Sequence, residues 1–216
     1  MKDFPMFTTE WGVASLILRE VPYRQEAYIH IQASETPAEL LKECVSFCRM
    51  VGAEQVFARG HDHLEQYPLH STIYEMRGEA RADESLVEHL WPVTQENVGR
   101  WRSLMNEHMA GVDNAGTLDS STEKDIAGSG GAYFVHHDGE LLGGGWIVDG
   151  ELLLVAAFQP GAGKRVMHTL MSLMPGQQMR LDVVSTNEKA LHLYEKLGFI
   201  KTAEKRRWYR VFPGEV

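Results

Sequence analysis

The residues of this chain best suited to chemistry lie in one short run, Gln159-Pro160-Gly161-Ala162-Gly163-Lys164-Arg165. A strand-like apolar stretch, Leu152 to Phe158, leads into it, and a helical pattern from Lys164 to Met174 leads away. Glycines at a strand-to-helix turn let the backbone come close to a ligand. The first amides of the helix and the positive end of its dipole then suit a phosphate or pyrophosphate, and Lys164 and Arg165 add charge at the same place. Two other phosphate motifs do not fit. The Gly-x-x-x-x-Gly-Lys-Ser/Thr spacing of a P-loop is absent. The preceding strand belongs to an antiparallel meander rather than a βαβ unit, which disfavours a dinucleotide fingerprint. A Gly-x-Gly turn by itself is also an ordinary tight turn, so its neighbours must decide what it does.

Two further groupings invite chemistry and lose it on spacing. His61-Asp62-His63 beside Gly60 is the densest cluster among the ten histidines, but it lacks the further ligands of a closed zinc site. A solvated loop is expected there, and no metal. Cys44 and Cys48 are too few for a disulfide scaffold and stand four apart in a helical pattern. They read as small core residues in a reducing compartment.

The elements around these residues follow from pattern. Val13–Leu18 and Ala27–Ile31 read as strands with Pro22 between them. Thr36-Pro37-Ala38-Glu39 reads as a helix start with Thr36 as cap and Glu39 at the capping-box position. Leu40, Leu41, Cys44, Val45, Phe47 and Cys48 form its apolar face, and Gly52 ends it. Gln55–Arg59 and Ser71–Met76 are strands, and the charged stretch from Arg77 to Glu84 is a junction. Leu86–Leu90 is expected as a strand, followed by a helix capped by Thr94 and carrying Trp101, Leu104 and Met105. The polar stretch from Gly111 to Gly131 is expected to be the least ordered part. Tyr133–His137, Leu141–Val148 and Leu152–Phe158 are joined by Asp138-Gly139 and Asp149-Gly150, which specifies an antiparallel meander. A helix to Met174, a strand over Arg180–Val184, a helix over Asn187–Leu197 and a strand over Arg207–Phe212 complete the chain.

Strands first antiparallel, then interleaved with helices, predict an α/β (α+β) fold with a mixed, mostly antiparallel sheet. The order of elements over residues 14–78 matches that over 140–213, so residues 1–80 read as a smaller α/β lobe, a degenerate half-copy of residues 81–216. The lobe's helix start, Ser34-Glu35-Thr36-Pro37, has no glycine pair and has acids nearby, so no anion is expected at that helix end. Extending the sheet or shaping an acceptor pocket is the expected role.

The segment Leu181-Asp182-Val183-Val184-Ser185-Thr186-Asn187-Glu188-Lys189-Ala190-Leu191-His192-Leu193-Tyr194-Glu195-Lys196-Leu197-Gly198-Phe199 closely resembles the last conserved region of the GNAT acyltransferases. In that family a strand ends near an asparagine and the next helix carries a Leu-Tyr-Glu-Lys-x-Gly-Phe signature. With the glycine turn one helix upstream and the meander before it, the resemblance spans roughly residues 85–213. It implies a sheet split between its fourth and fifth strands, with acetyl-CoA as co-substrate in the gap and no metal. It further implies that Gly161, Ala162, Gly163, Lys164 and Arg165 hold the pyrophosphate. Val155, Ala156 and Ala157 would offer backbone groups to the pantetheine arm, and Asn187 would hydrogen-bond it. Tyr194 would be general acid at the thioester sulfur, and Glu151 a general base acting through water. The acceptor pocket falls to the helix from Thr94 to Met109, the Gly111–Gly131 loop and the fourth and fifth strands. One departure stands out. Gln159 lies two residues before Gly161, where the family usually has three, so the turn is shortened.

The chemistry explains these residue types. An alkyl amine is almost wholly protonated at neutral pH and must lose a proton before attacking a thioester. The leaving thiolate gains from a proton donor such as a tyrosine hydroxyl, and backbone N–H groups can stabilise the oxyanion that forms. The implied activity is N-acetyl transfer to a primary amine, on a small molecule or a peptide. A non-catalytic acyl-CoA-binding or protein-interaction module on the same fold is the alternative.

Composition bounds these readings. The chain has 216 residues, 44% hydrophobic and 24% charged, which suits a folded core rather than disorder. No apolar run is long enough to span a membrane, and the start, Met1-Lys2-Asp3-Phe4-Pro5, lacks a signal peptide's apolar stretch. A cytoplasmic protein is therefore expected. A net charge of −9 repels a nucleic-acid backbone and mildly favours a cationic substrate. A homodimer stays open.

Overall fold

The computed structural model describes residues 6–212, so the opening Met1–Pro5 lies outside the described residues. The elements run β1 (Met6–Thr9), β2 (Gly12–Ile17), α1 (Val21–Arg24), β3 (Glu26–Ala33), α2 (Pro37–Met50), β4 (Gln55–Arg59), β5 (Leu69–Glu79), β6 (His89–Pro92), α3 (Val98–Met109), α4 (Glu123–Gly128), β7 (Ala132–His137), β8 (Glu140–Val148), β9 (Glu151–Ala157), α5 (Gly163–Met171), β10 (Gln178–Val184), α6 (Glu188–Lys196) and β11 (Ile200–Phe212). They group into two compact units. One extends to Thr72 and takes up the chain again from Arg206; the other is Ile73–Lys205.

In the first unit the strand order is β1-β2-β3-β4-β11. All neighbours are antiparallel except β3 and β4, which pair in parallel from Glu26↔Gln55 to His30↔Arg59. Helix α2 buries Leu40, Leu41, Cys44 and Cys48, which pack with Ala14, Leu16, Ile29, Ile31, Val56 and Ala58 of the strands. Burial pushes both thiols up to about 12, as fits inert core cysteines. Thr36 does occupy the N-cap, but its side chain makes no capping bond, so the expected capping box does not form. Sequence reading missed β1 and the single turn of α1. His61 Nδ1 accepts the His63 N–H at 3.1 Å and caps the 3₁₀ turn Asp62–Gln66. That contact gives His61-Asp62-His63 a local structural role.

In the second unit the order is β5-β10-β9-β8-β7-β6, again with one parallel pair, β9 and β10. The mixed, mostly antiparallel sheet expected from the sequence is present. The meander is β7-β8-β9. Both Asp-Gly turns have positive φ at both residues, +48° and +86° at Asp138-Gly139 and +48° and +76° at Asp149-Gly150. Two-residue type I′ hairpins require this, and asparagine, aspartate and glycine tolerate it best.

Several boundaries differ from expectation. Residues 86–90 are not one strand: a 3₁₀ turn takes Glu84–Leu86 and β6 begins at His89. Asn97 rather than Thr94 stands at the N-cap of α3; Thr94 instead opens the preceding turn, its carbonyl accepting from Asn97 and Val98. The 111–131 stretch contains a 3₁₀ turn at Ser120–Thr122 and helix α4, which buries Ile126. The last strand starts at Ile200 rather than Arg207.

A feature that pattern reading passed over is Gly143-Gly144-Gly145 in β8. A Cβ on Gly143 would lie 2.4 Å from the Ala156 carbonyl oxygen and 2.6 Å from Val166 of α5. One on Gly145 would lie 2.4 Å from Leu170 of α5, and one on Gly144 would lie 2.8 Å from Trp101 of α3. Side chains alternate across a strand, so the glycines admit α5 on one face and α3 on the other. Helix α5 adds Val166, Met167, Leu170 and Met171 to the core of this unit, beside Leu142, Leu152 and Leu181.

Candidate active site

The parallel ladder between β9 and β10 is short. Its pairs are Arg180↔Glu151 and Leu181↔Leu152. Beyond them the strands part, and a cleft of about 830 Å³ opens between Leu152–Gln159 and Leu181–Val184. Phe158 N–H donates to the Leu142 carbonyl on β8 at 2.8 Å. Strand alternation then turns the backbone of Val155 and Ala157 away from β8, toward the cleft. These two residues offer donors and acceptors to whatever lies there, as a missing strand would.

At the mouth stands the glycine turn. Ala162 N–H donates to the Gln159 carbonyl at 3.2 Å, with Pro160 and Gly161 between them. Gly161 has φ +83°, the positive value that the third position of a type II turn demands and that proline before it favours. Helix α5 follows, its first return bond running from Val166 N–H to the Ala162 carbonyl at 2.9 Å. The amides of Gly163, Lys164 and Arg165 precede that bond and form the positive end of the helix. Gly161 and Gly163 both line the cleft, and a Cβ on Gly163 would come within 3.3 Å of Leu193 on α6.

Helix α6 supplies the other wall. Asn187 is its N-cap, Oδ1 accepting from Ala190 N–H at 3.2 Å, and it also lines the cleft, so one residue serves both duties. Tyr194, two turns further on, is 7% exposed and packs against Phe199 at 6.0 Å. Burial pushes its hydroxyl up to about 12, which keeps the proton on at neutral pH. Tyr194 lines the cleft, and its hydroxyl makes no hydrogen bond among the described residues.

The structure therefore brings together Val155, Ala156, Ala157, Gly161, Gly163, Asn187 and Tyr194. It does not bring the remaining expected residues to the cleft lining. Glu151 sits where the β9–β10 ladder is still closed, its Oε2 bound to the Arg180 guanidinium at 2.6 Å. Arg165 points to Glu88, which it meets in an ion pair, and Glu88 also holds His137 Nδ1 at 2.7 Å. Burial alone would raise the Glu88 carboxyl, but Arg165 and His137 hold it below the ordinary carboxylate range. Ala162 is buried beneath the turn, and Lys164 lies outside the lining. Among the lining residues given no individual role from sequence are His108 and Met109 at the end of α3, and Asp182 of β10, whose carboxylate holds Lys205 Nζ at 2.9 Å. The helix that bears His108 was nonetheless expected at the acceptor pocket. His108 has Nδ1 2.9 Å from the Leu104 carbonyl and Nε2 3.1 Å from the Phe158 carbonyl.

A mostly antiparallel sheet parted beside a meander, with a helix start at the opening, defines the acyltransferase class. Residues 83–199 match the model of the Acetyltransferase (GNAT) family, and the chain belongs to that family. Solved structures agree at the level of the fold. A Pyrococcus horikoshii protein provisionally described as an acetyltransferase superposes with a TM-score of 0.59 at 14% identity, covering 95% of this chain and 70% of that one. A functionally unknown conserved protein of Staphylococcus epidermidis gives 0.55 at 9% identity, covering 97% and 95%. A GCN5-related N-acetyltransferase of Sphaerobacter thermophilus gives 0.52 at 13% identity, covering 94% and 78%. No curated protein matches the chain significantly. No helix among the described residues is long and apolar enough to cross a membrane.

Proposed function

We propose that the chain transfers an acetyl group from acetyl-CoA to a primary amine by direct attack in the β9–β10 cleft. The observation that carries this reading is the parted ladder with Tyr194 on the wall of the cleft it opens. Acetyl-CoA supplies an activated thioester. Val155 and Ala157 hold its pantetheine amides by backbone bonds, and Asn187 adds a side-chain contact. The amides at the start of α5 hold the pyrophosphate, with Arg165 retained by Glu88 as a brace for that helix. Tyr194 donates the proton that the departing sulfur needs.

The amine must lose a proton first. Glu151 is held by Arg180, and the cleft's carboxylate, Asp182, by Lys205. Both nitrogens of His108, the imidazole on the lining, face backbone carbonyls, so in this reading the amine's proton passes to water in the cleft. The cytoplasm, where acetyl-CoA is available and Cys44 and Cys48 stay reduced, is the matching compartment.

Turnover decides the matter. Purified protein with acetyl-CoA and a panel of small and peptide amines should release free thiol only when an amine is present. Saturable acetyl-CoA binding without thiol release for any amine would instead make the chain a non-catalytic acyl-CoA-binding module.

A further inference from the structure

The first unit carries a cluster with more donors than acceptors. His30 of β3 and Arg59 of β4 are register partners, so their side chains stand side by side on one face of the sheet. The Arg59 guanidinium lies over the Trp208 ring of β11, 5.3 Å from its centre. His30 Nδ1 faces Arg59 Nη2 at 3.0 Å and Gln32 Nε2 at 2.8 Å. Arginine can only donate, so Nδ1 is the acceptor and the ring's proton sits on Nε2. Gly60 leaves space there, since a Cβ on it would lie 3.1 Å from Nε2.

Arg59 is short of partners. Its Nε is buried with no hydrogen bond, and it makes no ion pair with a carboxylate among the described residues. Burial and then the nearby Arg206 both disfavour its charge, and burial, Arg59 and Arg206 likewise lower His30. A half-buried guanidinium costs free energy unless a counter-ion or acceptor joins it. The open donors here are Arg59 Nε–H and His30 Nε2–H, neither of which makes a hydrogen bond among the described residues, whereas Arg59 Nη2 is taken up by His30 Nδ1. Guanidinium forks match the two oxygens of a planar or tetrahedral oxyanion, and the tryptophan face gives the cation a wall.

We propose that His30, Arg59 and Trp208 form an oxyanion-binding site in the first unit, taking the carboxylate or phosphate group of a small ligand. None of these residues lines the cleft, so the site stands independently of the acyl-transfer reading. It also differs from the start of α2, where no anion is expected.

The test uses the full chain at constant ionic strength in chloride, titrated separately with inorganic phosphate and with succinate. The first readout is the NMR signal of Arg59 Nε–H. It should shift saturably with phosphate, with succinate or with both, which also tells the two sources apart. The second is the thermal midpoint, which should rise by about 5 °C at ~100 times the dissociation constant. Arg59→Met should abolish that rise and unfold in chloride no lower than the parent, because an uncompensated charge has gone. An Arg59 signal unmoved by either anion overturns the proposal. So does a midpoint rise that survives in Arg59→Met, which would put the anion elsewhere, such as the start of α5. If Arg59→Met does not fold, the Arg59 signal of the parent protein decides alone.

Discussion

Tyr194 shows what a single residue can and cannot disclose in sequence. Its place within Leu193-Tyr194-Glu195-Lys196 pointed to the cleft, and the structure puts it on the cleft wall with its hydroxyl unpartnered. Asn187, Gly161 and Gly163 also stand on the cleft lining, each placed by neighbours a few residues away. Arg165 and Glu151 do not. Their positions are set by partners far along the chain, Glu88 at a separation of 77 residues and Arg180 at 29, and no local spacing encodes such a choice. At this scale, Tyr194→Phe should lower kcat by about 10²-fold, within the span of general-acid effects, and leave acetyl-CoA affinity almost unchanged. Rapid-quench or steady-state thiol release with parallel calorimetry checks both numbers. Undiminished turnover would remove the hydroxyl from the mechanism. Because the raised pKa keeps the hydroxyl protonated through neutral pH, Tyr194 should add no alkaline limb to the rate profile until about pH 11 or above.

Among the elements, the meander was the most legible and the helix docking the least. Asp138-Gly139 and Asp149-Gly150 state their turn type in two letters, and the strands around them follow. The Gly143-Gly144-Gly145 run carries an equally firm constraint, yet a reader of pattern sees only a strand weakened by glycine. Its reason is tertiary, since two helices from distant parts of the chain use the space. The expected start of α3 moved as well: Asn97 stands at the N-cap, and its Oδ1 accepts from Thr94 N–H at 2.8 Å in the turn before it. Gly143→Ala should cost about 1–3 kcal/mol, the usual penalty of overpacking, because its Cβ meets the backbone oxygen of Ala156. Since that residue also sets where α5 starts, acetyl-CoA affinity should fall with the thermal midpoint. Gly128→Ala is the control, with open space around its Cβ and no special backbone conformation. Equal midpoints for the two variants would refute the packing account.

For the whole molecule, fold class was readable because it depends on the order and period of many elements at once. The grouping of those elements was less so. β11 is a 13-residue strand whose sequence gives no sign that residues up to Lys205 and residues from Arg206 belong to different compact units. The two units can be compared through their ladders. Each unit has one parallel pair, and each pair follows a strand–helix–strand passage. In the first unit that pair stays in register over five successive positions, from Glu26↔Gln55 to His30↔Arg59; in the second it does so over two, Arg180↔Glu151 and Leu181↔Leu152. A strand edge already occupied by its neighbour has no amides left to lend. Acetyl-CoA should therefore saturate the protein at one equivalent per chain, and a calorimetric titration that ends at two would mean the closed seam opens. Counting molecules bound thus reads out the difference between two parallel ladders, one zipped over five positions and one over two.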